Sequence, residues 1–248
     1  MTEAKKLAVV IMAAGKGIRM NNPDMAKVMY TVNGKPMVEY IVDLADNLQS
    51  TITIVVVGWQ RDSVIDHLNR THKGITFVEQ TPQLGTGHAV MKAEPALREF
   101  IGDVLVLSGD VPLLSLQTTR MLIDHQGATK ASATVLTAEL DDATGYGRIL
   151  RNEDGSVKGI VEHKDATAEE RQIREINSGI YVFDAVQLFA GLRHLTPTNA
   201  QKEYYLTDVF GHFWRNKLRV EAAKTDRKRE IQGINTPEQL EEARSAFA

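Results

Sequence analysis

The chain has 248 residues, of which 43% are hydrophobic and 25% are charged, and its formal net charge is −3 at pH 7. This length and composition predict a globular α/β protein with a large core, and the slightly negative charge argues against broad nucleic-acid binding. The sequence has no cysteine, no signal-peptide pattern and no apolar stretch long enough to span a bilayer, which together favour a cytoplasmic protein without membrane contact.

The stretch from Leu7 to Met20 predicts a buried strand followed by an anion-binding loop. An apolar, β-branched run ends in small residues and two glycines, and Lys16, Arg19 and Lys27 add positive charge where a polyphosphate would lie. Small residues let a backbone approach a ligand, and free N–H groups in such a turn bind anions. Neither the Walker A pattern nor the third glycine of the dinucleotide fingerprint is present. The alternative is that the glycines serve turn geometry alone.

Strands and helices alternate from residue 7 to about 126, which predicts right-handed crossovers and a mostly parallel sheet. After the first strand, the predicted elements are helix 36–48, strand 51–57, helix 61–68, strand 75–78, helix 87–100 and strand 103–107. Ligands of such sheets bind outside the carboxyl ends of the strands. The loop 13–20, the segment 80–87 and Ser108-Gly109-Asp110 are therefore expected to converge on one edge.

The second half has shorter and less regular elements. We predict strands at 131–140, 148–150, 157–162, 177–183 and 220–223, and helices at 185–192, 205–216 and 237–247. No linker or repeat separates the halves. A single domain over 1–248 is therefore expected, in which about 1–128 bind the nucleotide and about 129–248 form a lobe that completes the same cleft.

Several polar residues are candidates for chemistry. Asp110 follows a buried strand and, with Asn235, could offer oxygen ligands to Mg²⁺, although both residue types are also common in caps and turns. Glu162 lies in a charged segment for which a surface turn is the alternative. The seven histidines show no metal-type pairing, and we interpret His88 as a packed or capping residue.

Seven segments, taken in chain order, resemble one enzyme family. They are Ala13-Ala14-Gly15-x-Gly17-x-Arg19-Met20, Gln80-x-x-Gln83-Leu84-Gly85-Thr86-Gly87-His88-Ala89, Gly109-Asp110-Val111-Pro112-Leu113, Gly145-Tyr146-Gly147-Arg148-Ile149, Val161-Glu162-His163-Lys164-Asp165-Ala166, Glu175-Ile176-Asn177-Ser178-Gly179 and Glu203-Tyr204-Tyr205-Leu206-Thr207-Asp208. This set resembles the uridylyltransferase half of the bacterial bifunctional N-acetylglucosamine-1-phosphate uridylyltransferases.

The resemblance implies a Rossmann-like three-layer sandwich of the nucleotide-diphospho-sugar transferase type, with a mostly parallel sheet and a smaller sugar-binding lobe. It implies that UTP and N-acetylglucosamine 1-phosphate react by Mg²⁺-assisted in-line attack to give UDP-N-acetylglucosamine and pyrophosphate. Arg19 and Lys27 would be the catalytic, phosphate-binding cations, and Asp110 and Asn235 the metal ligands. The implied substrate contacts are Ala13, Ala14, Gly15, Gln80, Gly85, Thr86, Ser108, Gly109, Asp110, Gly147, Glu162, Asn177 and Asn235.

The chain also departs from the family pattern. Ile18 and Ala26 stand where Thr and Pro are usual, which predicts a more mobile loop around Lys27. Hexapeptide repeats are missing, so an acetyltransferase half is not expected, and we expect a monomer or weak homo-oligomer. Two alternatives stay open: the same reaction with another sugar 1-phosphate or dTTP, and a non-catalytic module that binds a sugar nucleotide.

Overall fold

A computed structural model describes residues 5–246 as an α/β fold with eleven strands and seven α-helices. The strands are β1 (Leu7–Ala13), β2 (Thr31–Val32), β3 (Lys35–Pro36), β4 (Ile52–Val57), β5 (Ile75–Glu79), β6 (Asp103–Ser108), β7 (Ala133–Glu139), β8 (Gly147–Arg151), β9 (Val157–Val161), β10 (Glu175–Asp184) and β11 (Val220–Lys224). The helices are α1 (Met37–Asn47), α2 (Arg61–Thr71), α3 (Thr86–Met91), α4 (Leu116–Thr129), α5 (Ala185–Leu192), α6 (Val209–Arg215) and α7 (Pro237–Ala246).

The central sheet has the order β5-β4-β1-β6-β10-β7-β11. β10 runs antiparallel to both of its neighbours, and all other neighbouring pairs along this path are parallel. The first part of β10 also pairs with β8, which forms a hairpin with β9. The predicted mostly parallel sheet is confirmed, and strands of both halves of the chain belong to it.

Helices cover both faces of this sheet. Successive side chains of β1 alternate between the faces: Val9 and Ile11 pack in the cluster that includes α1, α2 and α4, whereas Ala8 and Val10 pack in the cluster that includes α3, α5 and α6. A strand covered on both faces is apolar at every position, which is why its sequence is a continuous hydrophobic run. The expected three-layer sandwich is confirmed.

The predicted helix 87–100 is wrong in its length. α3 ends at Met91, and a separate 3₁₀ turn covers Glu94–Leu97. Pro95 explains the break, because proline lacks the N–H that an α-helix interior needs and its ring clashes with the preceding turn.

Other boundaries differ less. Helix α4 and the small β2–β3 hairpin are additional elements that the sequence patterns did not predict. The last predicted helix is described to Ala246, and Phe247 lies outside the described residues. Within residues 5–246, no helix is both long and apolar enough to cross a membrane.

A third apolar cluster brings the C-terminal helix to the first loop. Val32 of the β2–β3 hairpin and Met20 are buried with Ile234 and Leu240. Apolar burial of this kind contributes about 1.5–3 kcal/mol for each large side chain. The cluster therefore places the segment before α7, which contains Asn235, beside the loop that follows β1.

Candidate active site

A cleft of about 260 Å³ opens at the carboxyl ends of β1, β5 and β6. It brings together residues from all three predicted segments, from the loop around Lys27 and from the second half of the chain. Its polar or loop-borne lining residues are Ala13, Ala14, Gly15, Lys27, Gln80, Gln83, Gly85, Thr86, Ser108, Asp110 and Glu203. The strand ends meet here because parallel strands present their carboxyl ends at the same edge.

Gly17 shapes the first loop and the path of Lys27. Its φ is +60°, and a Cβ built on it would lie 2.5 Å from Lys27 Cβ. Side chains other than glycine rarely adopt this left-handed conformation. The loop thus needs glycine for its backbone and for the close passage of the Lys27 stem.

We expect Gly17→Ala to lower the free energy of unfolding by about 1–2 kcal/mol from the left-handed backbone alone, and the clash with Lys27 to add to this loss. Gly15→Ala is the matched control, since its φ is not positive and a Cβ there meets no described atom within 4 Å. Urea unfolding of both variants measures the difference. Equal stability of the two variants would contradict this account of the loop.

Lys27 and Asn235 lie at the centre of a polar cluster beside the cleft. Lys27 Nζ donates to Asp110 Oδ2 and, over 3.0 Å, to Asn235 Oδ1. Arg19 Nη2 donates to the same amide oxygen over 2.8 Å. The structure thus joins the two predicted cations to the two predicted metal ligands, although Arg19 and Asn235 are far apart in sequence. Ile18 beside them is 82% exposed and Ala26 is buried, and the mobility of this loop stays a prediction.

The carboxylate of Asp110 is buried and ionised. Burial alone would raise the pKa of Asp110, but the Lys27 ammonium and the Ser108 hydroxyl hold this pKa below its usual value. Ser108 Oγ donates to Oδ1 over 2.6 Å, and the Asp110 carbonyl accepts from Ile234 N over 2.9 Å. The last contact fixes the Asn235 segment against the end of β6.

The donor set at this point fits a hard divalent cation. Asp110 Oδ2 and Asn235 Oδ1 both point at one positively charged atom, Lys27 Nζ, so the two oxygens already converge on a cation position. Magnesium takes few oxygens from protein and the rest from water and phosphate. Within residues 5–246 no group of three or more His, Cys, Asp or Glu side chains gathers as a metal site, so the Asp–Asn pair is the candidate.

The glycines of the second loop accommodate protein backbone. Gly85 has φ +105°, and a Cβ on it would lie 2.6 Å from the Tyr204 carbonyl oxygen. That oxygen accepts from Gly87 N over 2.7 Å, and Leu206 N donates to Thr86 Oγ1 over 3.0 Å. A segment of the second half is therefore bonded along the loop that carries Gly85 and Thr86.

Gly147, Glu162 and Asn177 lie together on the β8–β10 side. A Cβ on Gly147 would approach Asn177 Cβ to 3.3 Å and Glu162 Oε2 to 3.4 Å. The amide of Asn177 is held within its own strand: Nδ2 donates to the Tyr181 hydroxyl over 2.7 Å, and Oδ1 accepts from Gly179 N over 3.1 Å. A side chain at position 147 would therefore crowd both the fixed amide and the carboxylate.

Burial raises the pKa of Glu162, and the nearby carboxylates of Asp208 and Asp165 raise this pKa further. Thr207 opposes these effects by donating its hydroxyl to Glu162 Oε1 over 3.0 Å. Glu162 Oε2 lies beside Gly147, 3.4 Å from where a Cβ of residue 147 would be. A group with hydroxyl donors would satisfy this oxygen.

The sequence analysis assigned no role to three residues of this region. Gln83 and Glu203 line the cleft, and Thr207 bonds Glu162. They lie in segments that the resemblance included without giving these residues a role. The ammonium of Lys16 lies over the Trp59 ring, 5.2 Å from the centroid, and its place near the phosphates stays a prediction.

Comparisons with known proteins agree with this architecture. Residues 8–228 match the profile of the family described as nucleotidyl transferase. The bifunctional protein GlmU of Exiguobacterium sibiricum is 49% identical over 217 residues, which are 88% of this chain and 45% of that protein. The GlmU of Geobacter metallireducens is 46% identical over 237 residues, 96% of this chain and 49% of that protein. The chain thus spans about half the length of the curated relatives it matches.

Solved structures match in fold at lower identity. A UDP-glucose pyrophosphorylase complexed with UDP-glucose gives a TM-score of 0.77 at 21% identity, covering 98% of each chain. A putative glucose-1-phosphate thymidylyltransferase from Bacillus anthracis gives 0.76 at 18% identity, covering 97% of this chain and 94% of that one. At these identities the match supports the fold alone.

Proposed function

Because this chain belongs to the nucleotidyl transferase family, we propose that it forms UDP-N-acetylglucosamine and pyrophosphate from UTP and N-acetylglucosamine 1-phosphate. The observation that carries the proposal is the convergence of Arg19, Lys27, Asp110 and Asn235 beside the cleft. The similarity to the GlmU proteins over nearly the whole chain supports the choice of substrates.

The proposed reaction needs no protein nucleophile. A phosphate oxygen of the sugar 1-phosphate forms a bond to the α-phosphorus of UTP, and the bond from that phosphorus to the bridging oxygen breaks in line to release pyrophosphate. Negative charge grows on the leaving oxygens, so Arg19 and Lys27 would act by positioning and by electrostatic stabilisation. A bound Mg²⁺, held by Asp110 and Asn235, would polarise the phosphoryl oxygens.

The remaining predicted residues would bind the two ends of the substrates. In this proposal the backbone at Ala13–Gly15 and the Gln80 side chain hold the uridine, with Gly85 and Thr86 beside it. Gly147, Glu162 and Asn177, which lie together on the β8–β10 side, hold the amino sugar. This assigns the nucleotide to about residues 1–128, and the sugar and the closing elements, which include Asn235, to about residues 129–248.

The test is pyrophosphate release by the purified protein with Mg²⁺, UTP or dTTP, and a panel of sugar 1-phosphates. Release with UTP and N-acetylglucosamine 1-phosphate alone is the expected result. Release with glucose 1-phosphate in its place would overturn the sugar assignment and keep the reaction. No release, together with measurable binding of UDP-N-acetylglucosamine, would favour the non-catalytic module.

We expect Glu162→Gln to raise the KM for the sugar 1-phosphate about tenfold or more, because hydrogen bonds to a charged acceptor are worth about 1.5–3 kcal/mol. The KM for UTP should change little. In the unmodified protein the sugar KM should rise as pH falls through the raised pKa of Glu162, since the protonated carboxyl accepts less well, and the variant should lack this dependence. Glu139→Gln, at an exposed carboxylate, is the control. An unchanged sugar KM in Glu162→Gln would remove this residue from the sugar site.

The proposal also specifies Mg²⁺ as the metal, a cytoplasmic location and a monomeric or weakly self-associating state. Activity titrations with Mg²⁺, Mn²⁺ and Ca²⁺ test the first part. Cell fractionation and sedimentation velocity of the natural protein test the others.

A further inference from the structure

The amide of Gln80 is held by two partners at the edge of the cleft. Its Nε2 lies 2.9 Å from the Gly85 carbonyl oxygen and 3.2 Å from His88 Nδ1. Gln80 is 4% exposed and lines the cleft. Both partners bond the Nε2 end of the amide, so they decide which of its two ends is left for a ligand.

The protonation of this network follows from its two backbone acceptors. The Gly85 carbonyl can only accept, so the amide end that faces it is the nitrogen, and the other amide hydrogen meets His88 Nδ1. The imidazole also bonds the backbone of Pro82, which has no N–H and therefore accepts. His88 thus carries its proton on Nε2 and offers Nδ1 as an acceptor.

Neutral imidazole is favoured at this position. Burial lowers the pKa of His88, and the positive charge of Lys92 lowers it further, while the bond to Pro82 acts in the opposite direction. The ring packs 6.2 Å from the Tyr204 ring, between centroids. A neutral ring is required for Nδ1 to accept from Gln80.

As a consequence, the Gln80 amide presents one defined hydrogen-bonding atom to the cleft. With Nε2 held by Gly85 and His88, the Oε1 atom of Gln80 is the free end, and no described residue donates to it. An amide oxygen pairs with a ring N–H. Uracil presents such a donor at N3, whereas cytosine presents a lone pair there.

We propose that His88 is a specificity-determining positioning residue that keeps the Gln80 oxygen turned toward the nucleobase and so selects uracil over cytosine. This inference rests on the proposed uridine nucleotide substrate. It adds a role to the interpretation of His88 as a packed or capping residue. The imidazole acts through Gln80 and does not touch the base.

The His88 variants that test this proposal differ in whether they keep a hydrogen-bond acceptor at the position of Nδ1. In His88→Asn the side-chain oxygen reaches the position of Nδ1 and can still accept from Gln80. His88→Leu removes the acceptor, and His88→Gln reaches the Nε2 position instead, so it serves where the leucine variant does not fold. Circular dichroism and thermal melting establish which variants are folded.

Binding of UTP and of CTP is measured by calorimetry with Mg²⁺ and without sugar phosphate. We expect His88→Leu or His88→Gln to lower the preference for UTP over CTP about tenfold, which corresponds to the loss of one buried hydrogen bond. His88→Asn should retain most of the preference. The ratio of the two affinities distinguishes this role from a purely structural one, which would weaken both nucleotides alike.

Two results would overturn the inference: an unchanged UTP-to-CTP ratio in the folded variant that lacks the acceptor, or equal weakening of both nucleotides. Failure of the proposed function has a different signature. The unmodified protein would then bind neither nucleotide, or would bind UTP without preference, before any variant is compared.

Discussion

Lys27→Met is expected to slow pyrophosphate release by about 10²-fold or more, the usual cost of removing a preorganised group that stabilises developing charge. Lys27 is half of the cationic pair beside the cleft, and its ammonium is held against Asp110 and Asn235. Methionine keeps the length of the stem, so packing against Gly17 is retained while the charge is lost. The turnover rate at saturating substrates measures the effect.

The same variant is expected to bind a divalent metal more tightly when no nucleotide is present. Lys27 Nζ stands between the two oxygens that are the proposed metal ligands, so a metal must displace it or bind beside a positive charge. A neighbouring cation shifts carboxylate equilibria by about one to three pKa units, so its loss should tighten metal binding about tenfold or more. Electron paramagnetic resonance of added Mn²⁺ gives the affinity without any turnover.

Lys35→Met is the control for Lys27→Met, because Lys35 also pairs with an aspartate, Asp43, and does not line the cleft. It should leave both turnover and Mn²⁺ affinity unchanged. Weaker or equal Mn²⁺ binding by Lys27→Met would show that the lysine does not compete for the metal position. Turnover close to that of the unmodified protein would remove Lys27 from the catalytic assignment.

Asp110→Asn is expected to have the second large effect, on activity and on stability together. The amide keeps the shape of the carboxylate but removes the charge that attracts a metal and pairs with Lys27. We expect about 10²-fold slower turnover or worse, loss of high-affinity Mn²⁺ binding, and a fall of about 3 kcal/mol in the free energy of unfolding at neutral pH. The last figure is typical when one partner of a buried ion pair is removed.

The pH dependence of that stability loss has a defined sign. The pKa of Asp110 is lowered in the folded protein, so its ionised form stabilises the fold above the unfolded-state pKa, and this contribution disappears as pH falls through the folded-state pKa. Urea unfolding should therefore separate Asp110→Asn from the unmodified protein at neutral pH and bring the two together in acid. A stability difference that stays constant with pH would contradict the ion-pair explanation.

A double variant tests whether Lys27 and Asp110 stabilise the fold as a pair. Lys27→Met combined with Asp110→Asn should be less destabilised than the sum of the two single variants, because Asp110→Asn removes the buried carboxylate that Lys27→Met leaves unpaired. Additive losses in the unfolding experiment would mean that the two side chains contribute independently.

Much of the fold follows from local sequence patterns. Runs such as 7–13, 52–57 and 103–108 are almost continuously apolar because helices cover both faces of the sheet, and this pattern predicts buried parallel strands. The apolar pattern predicts the wrong helix length where a single proline interrupts the helix. Pro95 ends the helical periodicity of 87–100, although the apolar spacing continues.

The candidate site likewise has features that local sequence patterns predict and features that depend on tertiary packing. That the loops after β1, β5 and β6 face one cleft follows from strand direction, which the alternation of strands and helices predicts. The family resemblance assigned Lys27, Asp110 and Asn235 to one reaction, but no local pattern places Asn235 within 3.0 Å of Lys27 Nζ. That contact depends on α7 packing against the β2–β3 hairpin, and such long-range packing has no signature in a short stretch of sequence.

The orientation of side-chain groups is the feature of the site that the sequence predicts least well. His88 and Gln80 can be read as a packing residue and a ligand contact, but the bonds that join them, and the Gly85 carbonyl that orients the amide, exist only in the folded chain. The amino-acid sequence therefore specifies the sheet, its buried strands and the edge at which a ligand binds, because these follow from local periodicity and strand direction. Tertiary packing specifies which charges meet and which atom of an amide faces the cleft, because those depend on residues far apart in the chain.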